Sequence, residues 1–312
     1  MKMVNLIPTG TSLRFMSFRR LAMLLSLVAC VASVGFFLTK GLNYGIDFRG
    51  GILIEIRTPE PAQLGPLRTT LNGLGLGEVA LQEFGRDTDV LIRIQRQDGD
   101  SESQARAVEA VKQALGAEVS YRRVEFVGPK VSGELIEAGV TAVLLALGAM
   151  LIYIWFRFEW QFGVGAVVAL AHDVILTIGV FSIIGLEFNL STVAAILTIA
   201  GYSINDTVVV YDRVRENLRK YKQMPLAQLL DLSLNDTLSR TILTSVTTLI
   251  ALLVLFFFGG QVIKGFSFAM IWGVAVGTYS SIFIAAPLLV HMNLRSSTLQ
   301  DDEAEDPATA SS

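Results

Sequence analysis

The chain has 312 residues, 52% of them hydrophobic and only 17% charged, where water-soluble domains carry roughly a quarter charged residues; this excludes an ordinary soluble enzyme. A formal net charge of −3 excludes a strongly basic nucleic-acid binder. One cysteine, Cys30, excludes an internal disulfide and a cysteine-cluster zinc site, and two histidines, His172 and His291, leave little for a metal centre, so neither metal nor cofactor is expected.

In chain order, residues 1–20 form a basic N-terminal segment with Lys2, Arg14, Arg19 and Arg20. The apolar run 21–38 follows and is read as a first spanning helix, 21–40. Leu27-Val28-Ala29-Cys30 resembles a lipoprotein cleavage box, but the run continues to Leu38, so an uncleaved anchor is expected. Next comes Gly45-Ile46-Asp47-Phe48-Arg49-Gly50-Gly51, whose paired glycines predict a tight turn or hinge.

Residues 41–134 are too polar for a membrane. Strands are predicted at 52–57, 78–84, 89–95 and 118–127, the middle two from apolar–polar alternation, and helices at 61–74 and from 100 to Gly116. The order β-α-β-β-α-β predicts a ferredoxin-like domain, acting as a binding or lever domain or as a passive spacer. Five further apolar stretches, 135–156, 162–184, 190–211, 241–258 and 266–292, complete a polytopic α-helical protein of six transmembrane helices. A five-helix bundle is therefore expected over 135–292, with a loop at 212–239 and a disordered acidic tail at 293–312.

Lys and Arg set the orientation. The N-terminal segment and the 212–239 loop, with Arg213, Arg215, Arg219, Lys220 and Lys222, are basic, whereas the loop between the third and fourth helices has no Lys or Arg. Both termini are expected in the cytoplasm and 41–134 in a periplasm-like compartment.

Charges at membrane depth are costly and point to function. Asp206 lies in the fourth helix, roughly 7 to 8 Å from its predicted cytoplasmic end at 1.5 Å per residue. Arg240 opens the predicted fifth helix on the same side. Facing each other, they would form a proton acceptor with a switchable partner, or a static ion pair, or charges reaching out to the interface. Asn205 stands beside Asp206 to hold the carboxylate or a water, and Tyr202 and Ser203 add hydroxyls. Asp173 and His172, nearer the middle of the third helix, belong to a proton or water path, or His172 simply hydrogen-bonds a neighbouring helix. No G-x-x-x-x-G-K-[ST] occurs, so energy for any work comes from a partner or an ion gradient.

These residues converge on a family. GIDFRGG at 45–51, FRFEW at 156–160, AHD at 171–173 and above all GYSINDTVVVYDRVREN at 201–217 resemble the SecF family of protein translocase subunits, related to resistance–nodulation–division exporters. The resemblance extends over 14–293, and the compact outer segment fits SecF rather than its paralogue SecD. It implies an accessory subunit of the bacterial inner-membrane Sec translocase. Its implied partners are SecD, the SecYEG channel, YajC, SecA indirectly, the unfolded polypeptide in transit and the lipid bilayer. It further implies late steps of export driven by the proton-motive force, with Asp206 and Arg240 at the positions linked to proton flow. Three other readings are a scaffold that holds SecD on the channel, a proton-coupled small-molecule exporter, and an intramembrane aspartyl protease built on Asp173 and Asp206.

Overall fold

The computed structural model describes residues 12–97, 99, 101–116, 118–260, 263–292 and 294. Segment 1–11, with Lys2, and the acidic tail apart from Leu294 lie outside the described residues. Contacts divide the chain into two units, one of Leu42–Leu144 with Glu187–Val193 and one of Met1–Gly41, Leu145–Leu186 and Ala194–Ser312.

The first helix, α1, spans Arg19–Lys40. The smaller unit then opens with strand β1 (Asn43–Tyr44) and a single helical turn, α2 (Ile46–Arg49). It continues with β2 (Gly51–Arg57), α3 (Leu64–Asn72), β3 (Val79–Phe84), β4 (Arg86–Ile94), α4 (Ser101–Leu115) and β5 (Ser120–Val127). The sheet order is β3-β4-β2-β5, antiparallel throughout. The predicted β-α-β-β-α-β succession is thus present, with each strand within a few residues of its expected bounds. Central strand β2 alternates: Ile52, Ile54 and Ile56 on one face are fully buried with Leu71 of α3 and Val111 of α4, while Leu53, Glu55 and Arg57 lie on the other. Edge strand β5 alternates, and leaves Val124 and Phe126 exposed.

One ion pair crosses this sheet. Arg57 and Asp89 stand opposite in the β2–β4 register, and the guanidinium donates Nε–H to Oδ1 at 2.5 Å and a second bond to Oδ2 at 2.7 Å. The Arg57 hydrogen bonds hold the Asp89 carboxyl below its ordinary range. A carboxyl lowered in this way stabilises the fold above its unfolded value of about 4, and that contribution is lost as pH falls through the lower folded value. Hydrogen-exchange protection of β2 and β4 amides in the whole chain is therefore expected to fall between neutral pH and pH ~3. Asp89→Asn should be less protected at neutral pH and should lose that pH dependence.

The remaining helices are α5 (Pro129–Arg157), α6 (Trp160–Ile184), α7 (Leu190–Lys220), α8 (Leu226–Phe258), α9 (Lys264–Ser280) and α10 (Ala286–His291). A short strand β6 (Glu187–Phe188) precedes α7, and a π-helical turn, Ser281–Ala285, joins α9 to α10. Among the described residues six helical segments are long and apolar enough to cross a membrane. Leu24, Leu27 and Val31 on α1, Ile152 and Trp155 on α5, and Ile250 and Phe257 on α8 are exposed, an exterior suited to hydrocarbon.

Two expectations need correction. The 212–239 loop is not a loop: α7 continues to Lys220 and α8 begins at Leu226, leaving only 221–225 between them. The extensions are amphipathic and bury Val214, Leu218, Leu229, Leu230 and Leu234, so a hydropathy window sees only the membrane portion of each helix. Consequently Arg240 does not open its helix but lies near the middle of α8.

Candidate functional site

Inside the larger unit several polar side chains link neighbouring helices. Asp206 of α7 is buried, and its Oδ1 accepts from Thr241 Oγ1 of α8 at 2.8 Å. Its Oδ2 accepts from Ser281 Oγ, the first residue of the π-helical turn, at 2.5 Å. Asp173 of α6 is completely buried, and its Oδ2 accepts from Ser203 of α7 at 2.5 Å and from Ser280 of α9 at 2.8 Å. Its Oδ1 lies 2.9 Å from Nδ1 of His172.

His172 is itself buried, stacks on Tyr279 with ring centroids 6.1 Å apart, and has no hydrogen-bond partner at Nε2 among the described residues. Tyr279 in turn reaches α1, where its hydroxyl donates to Ala22 O at 3.1 Å and lies 2.9 Å from Ser26 Oγ. A third link joins α7, α8 and α9: Tyr202 donates to Ser245 Oγ at 3.1 Å, which lies 2.7 Å from Thr278 Oγ1.

At the end of the π-helical turn Ala285 O accepts from the buried Tyr211 hydroxyl at 3.1 Å. Asp206 and Tyr211 of α7 thereby hold both ends of the turn. Hydroxyl oxygens donate to a carboxylate and accept from a carboxylic acid, so Thr241 and Ser281 can bond either ionisation state of Asp206 without a change of backbone.

The predicted residues are not all gathered here. Asp206, Asp173 and His172 are in the buried core. Asn205 is exposed, and the hydrogen bonds of the Asp206 carboxylate go to Thr241 and Ser281 instead. Arg240 is exposed, and among the described residues Asp206 forms no ion pair within 4.0 Å. Its neighbour Thr241 takes the contact that Arg240 was expected to make, because one residue further along α8 turns the side chain by ~100° toward α7. Asp173 and Asp206 have separate partners, and among the described residues no hydrogen bond joins them; this geometry does not set up the shared proton of an aspartyl protease. Thr241, Ser280 and Ser281 were missed by sequence reasoning, although Thr278-Tyr279-Ser280-Ser281 is a visible polar run in an apolar helix.

In the smaller unit, the GIDFRGG turn ties β1 to β6. Asn43 and Tyr44 pair in parallel with Glu187 and Phe188, and Gly45 donates to Phe188 O at 2.8 Å. Asp47 Oδ2 accepts from the Leu190 amide at 2.9 Å, capping α7. Arg93 bonds both Glu187 and Asn43. Gly50 and Gly51 have φ of 69° and 119°, and a Cβ on Gly51 would lie 2.7 Å from Ile94 O. Both the dihedrals and the close strand approach therefore demand glycine. Arg49 is exposed at the end of this turn.

Fold and site together define a polytopic membrane protein with a small β-α-β-β-α-β unit after its first helix and two hydroxyl-held acids inside its bundle. The family described as protein export membrane protein SecD/SecF, C-terminal, matches residues 107–295, and the SecD/SecF GG motif matches 35–58. The chain is 48% identical over 290 residues to the protein translocase subunit SecF of Rickettsia bellii (strain OSU 85-389), covering 92% of this chain and 95% of the relative. Identity to the SecF of Rickettsia prowazekii (strain Madrid E) is 45% over 290 residues, covering 92% and 93%. The crystal structure of SecDF, a translocon-associated membrane protein from Thermus thermophilus, is similar with a TM-score of 0.83 at 37% identity, over 91% of this chain and 39% of that one. SecDF in its super-membrane-facing form gives a TM-score of 0.69 at 36% identity, over 95% and 41%. The chain thus spans about two fifths of each SecDF chain. It belongs to the SecD/SecF family of protein export membrane proteins, on the SecF side.

Proposed function

We propose that this chain is an accessory subunit of the Sec protein translocase that uses the proton-motive force, together with SecD, to promote late steps of export across the inner membrane. The observation that carries this reading is Asp206: an acid buried among spanning helices, held by hydroxyls able to bond it with or without its proton. The family supports the export role, and the longer SecDF chains support a SecD partner. SecYEG, YajC and, indirectly, SecA complete the proposed assembly, with an unfolded polypeptide as cargo and no enzymatic step. Both termini lie in the cytoplasm and the ferredoxin-like unit in the periplasm.

A unit charge crossing the membrane releases roughly 2.3 kcal/mol per 100 mV, or about 3.5 kcal/mol at about 150 mV, enough to bias a two-state equilibrium several-hundred-fold. Neutralising Asp206 weakens its charge-assisted bonds to Thr241 on α8 and Ser281 on the π-helical turn. The helices then repack, and Arg240, beside Thr241, becomes the cation that receives the carboxylate when the proton leaves. Asp173 and His172 extend the path toward α1, with Asn205 at its exposed edge. Helices α5 and α7 run through both units, and α1 leads into the 45–51 turn, so the repacking tilts the outer unit. A tilt that holds an emerging chain and a tilt that frees it would block backsliding.

The test is export into inverted membrane vesicles, with and without an uncoupler, from cells with and without this chain. The chain-dependent increment is expected to vanish when the gradient is collapsed. An increment that survives uncoupling favours the scaffold reading instead.

A further inference from the structure

The smaller unit carries an apolar groove of about 530 Å³ that the proton path does not use. One wall is α5, through Ile136, Val140, Val143 and Leu144; Phe48 and Phe188 close the other side, and Arg49 stands among the lining residues. Its volume falls in the range of roughly 300–1,000 Å³ typical of ligand sites. The α5 wall belongs to a segment long and apolar enough to span a membrane, with none of its most apolar stretch buried by this chain, so this wall is composed for contact with hydrocarbon.

Its rim is amphipathic. Tyr44, Phe48 and Phe188 form an aromatic cluster with centroids 5.9 to 6.1 Å apart, and the Arg49 guanidinium sits 5.9 Å from the Tyr44 ring. Tyrosine and arginine in this arrangement mark headgroup depth. Arg49 is exposed and forms no ion pair within 4.0 Å among the described residues. The nearest acid in the turn, Asp47, is engaged in capping α7, and Glu137, beside Ile136, is not among the lining residues. The rim therefore offers a guanidinium with no carboxylate partner among the described residues, beside an apolar slot.

We propose that this groove is a site for one anionic phospholipid, an acyl chain lying along α5 between Ile136 and Leu144 and the phosphate bound by Arg49. An anionic headgroup complements the lone guanidinium, whereas a choline headgroup brings its own cation to the same place.

The experiment is native mass spectrometry of the delipidated full chain in detergent, titrated with phosphatidylglycerol or with phosphatidylcholine of the same acyl chains. Phosphatidylglycerol is expected to bind at least fivefold more tightly. Arg49→Gln is expected to abolish that preference with a loss on the order of tenfold, while Val140→Trp, which fills the slot, weakens both lipids. Circular dichroism of each variant confirms that it is folded. Equal binding of the two lipids, or an Arg49→Gln variant that keeps the preference, overturns the proposal. Displacement of the lipid by millimolar inorganic phosphate alone also overturns it, since the slot would then contribute nothing.

Discussion

Asp206→Asn is expected to insert, fold and co-purify with its partners at wild-type levels, yet to reduce gradient-driven export to the level seen with an uncoupler. Asparagine has nearly the shape of aspartic acid. Its Oδ1 accepts from one of the two hydroxyls, Thr241 or Ser281, and its Nδ2 donates to the other, so the packing around it survives. What it cannot do is change charge. If the proton contributes about 3.5 kcal/mol per cycle at about 150 mV, its loss removes a several-hundred-fold bias, far beyond the effect of one altered hydrogen bond of about 1 kcal/mol. Ser281→Ala, which removes one donor and leaves the acid in place, should reduce the same step only partly. Wild-type export by the Asn variant under full membrane potential would refute the proton mechanism.

Gly179→Leu is expected to have the largest effect on stability. Gly179 of α6 faces Ser33 of α1 so closely that an added Cβ would lie 2.9 Å from the Ser33 Cα and nearer still to its side chain. Spanning helices lack a hydrophobic drive to associate and depend on such close backbone approach. Lys40 Nζ donating to Ile183 O at 2.7 Å and Ser182 Oγ donating to Gly41 O at 2.8 Å tie the same two helices further along. Overpacking costs about 1–3 kcal/mol, and here it falls on the extensive α1–α6 contact. Thermal unfolding in detergent should show a clear drop. Ser33→Gly should restore only part of it, because the backbone contact remains. A Gly179→Leu chain as heat-stable as the wild type would mean that α1 and α6 do not meet at this point.

The fold was legible where its determinants are local. Alternation located β3 and β4, and the apolar runs located each spanning segment, because one face or one solvent dictates those residues. Helix ends were not legible at α7 and α8, where the helix leaves the membrane but keeps a buried stripe of Val214, Leu218, Leu230 and Leu234. The β1–β6 pairing joins two-residue strands about 140 positions apart in the chain, and nothing near either strand encodes it. At the site, the acids stood out because charge in an apolar helix is rare. Their partners did not, since serine and threonine in spanning helices usually bond their own backbone, as Thr198 and Thr247 do here. Arg240 was chosen for its charge and its expected depth beside Asp206, whereas the direct hydrogen bond falls to Thr241, one residue on in helical phase.

Ser280 and Ser281 are successive residues, yet each serves a different acid. The hydroxyls that reach the two acids are therefore joined by a single peptide unit, about 3.8 Å between Cα atoms, although the acids belong to different helices. Any event that rotates the chain at this joint must disturb both at once. Inserting or deleting one residue just before Ser280 would turn both hydroxyls by about 100° and take one donor from each acid, leaving Asp206 with Thr241 and Asp173 with Ser203, so the length of this segment, as much as its composition, is under constraint.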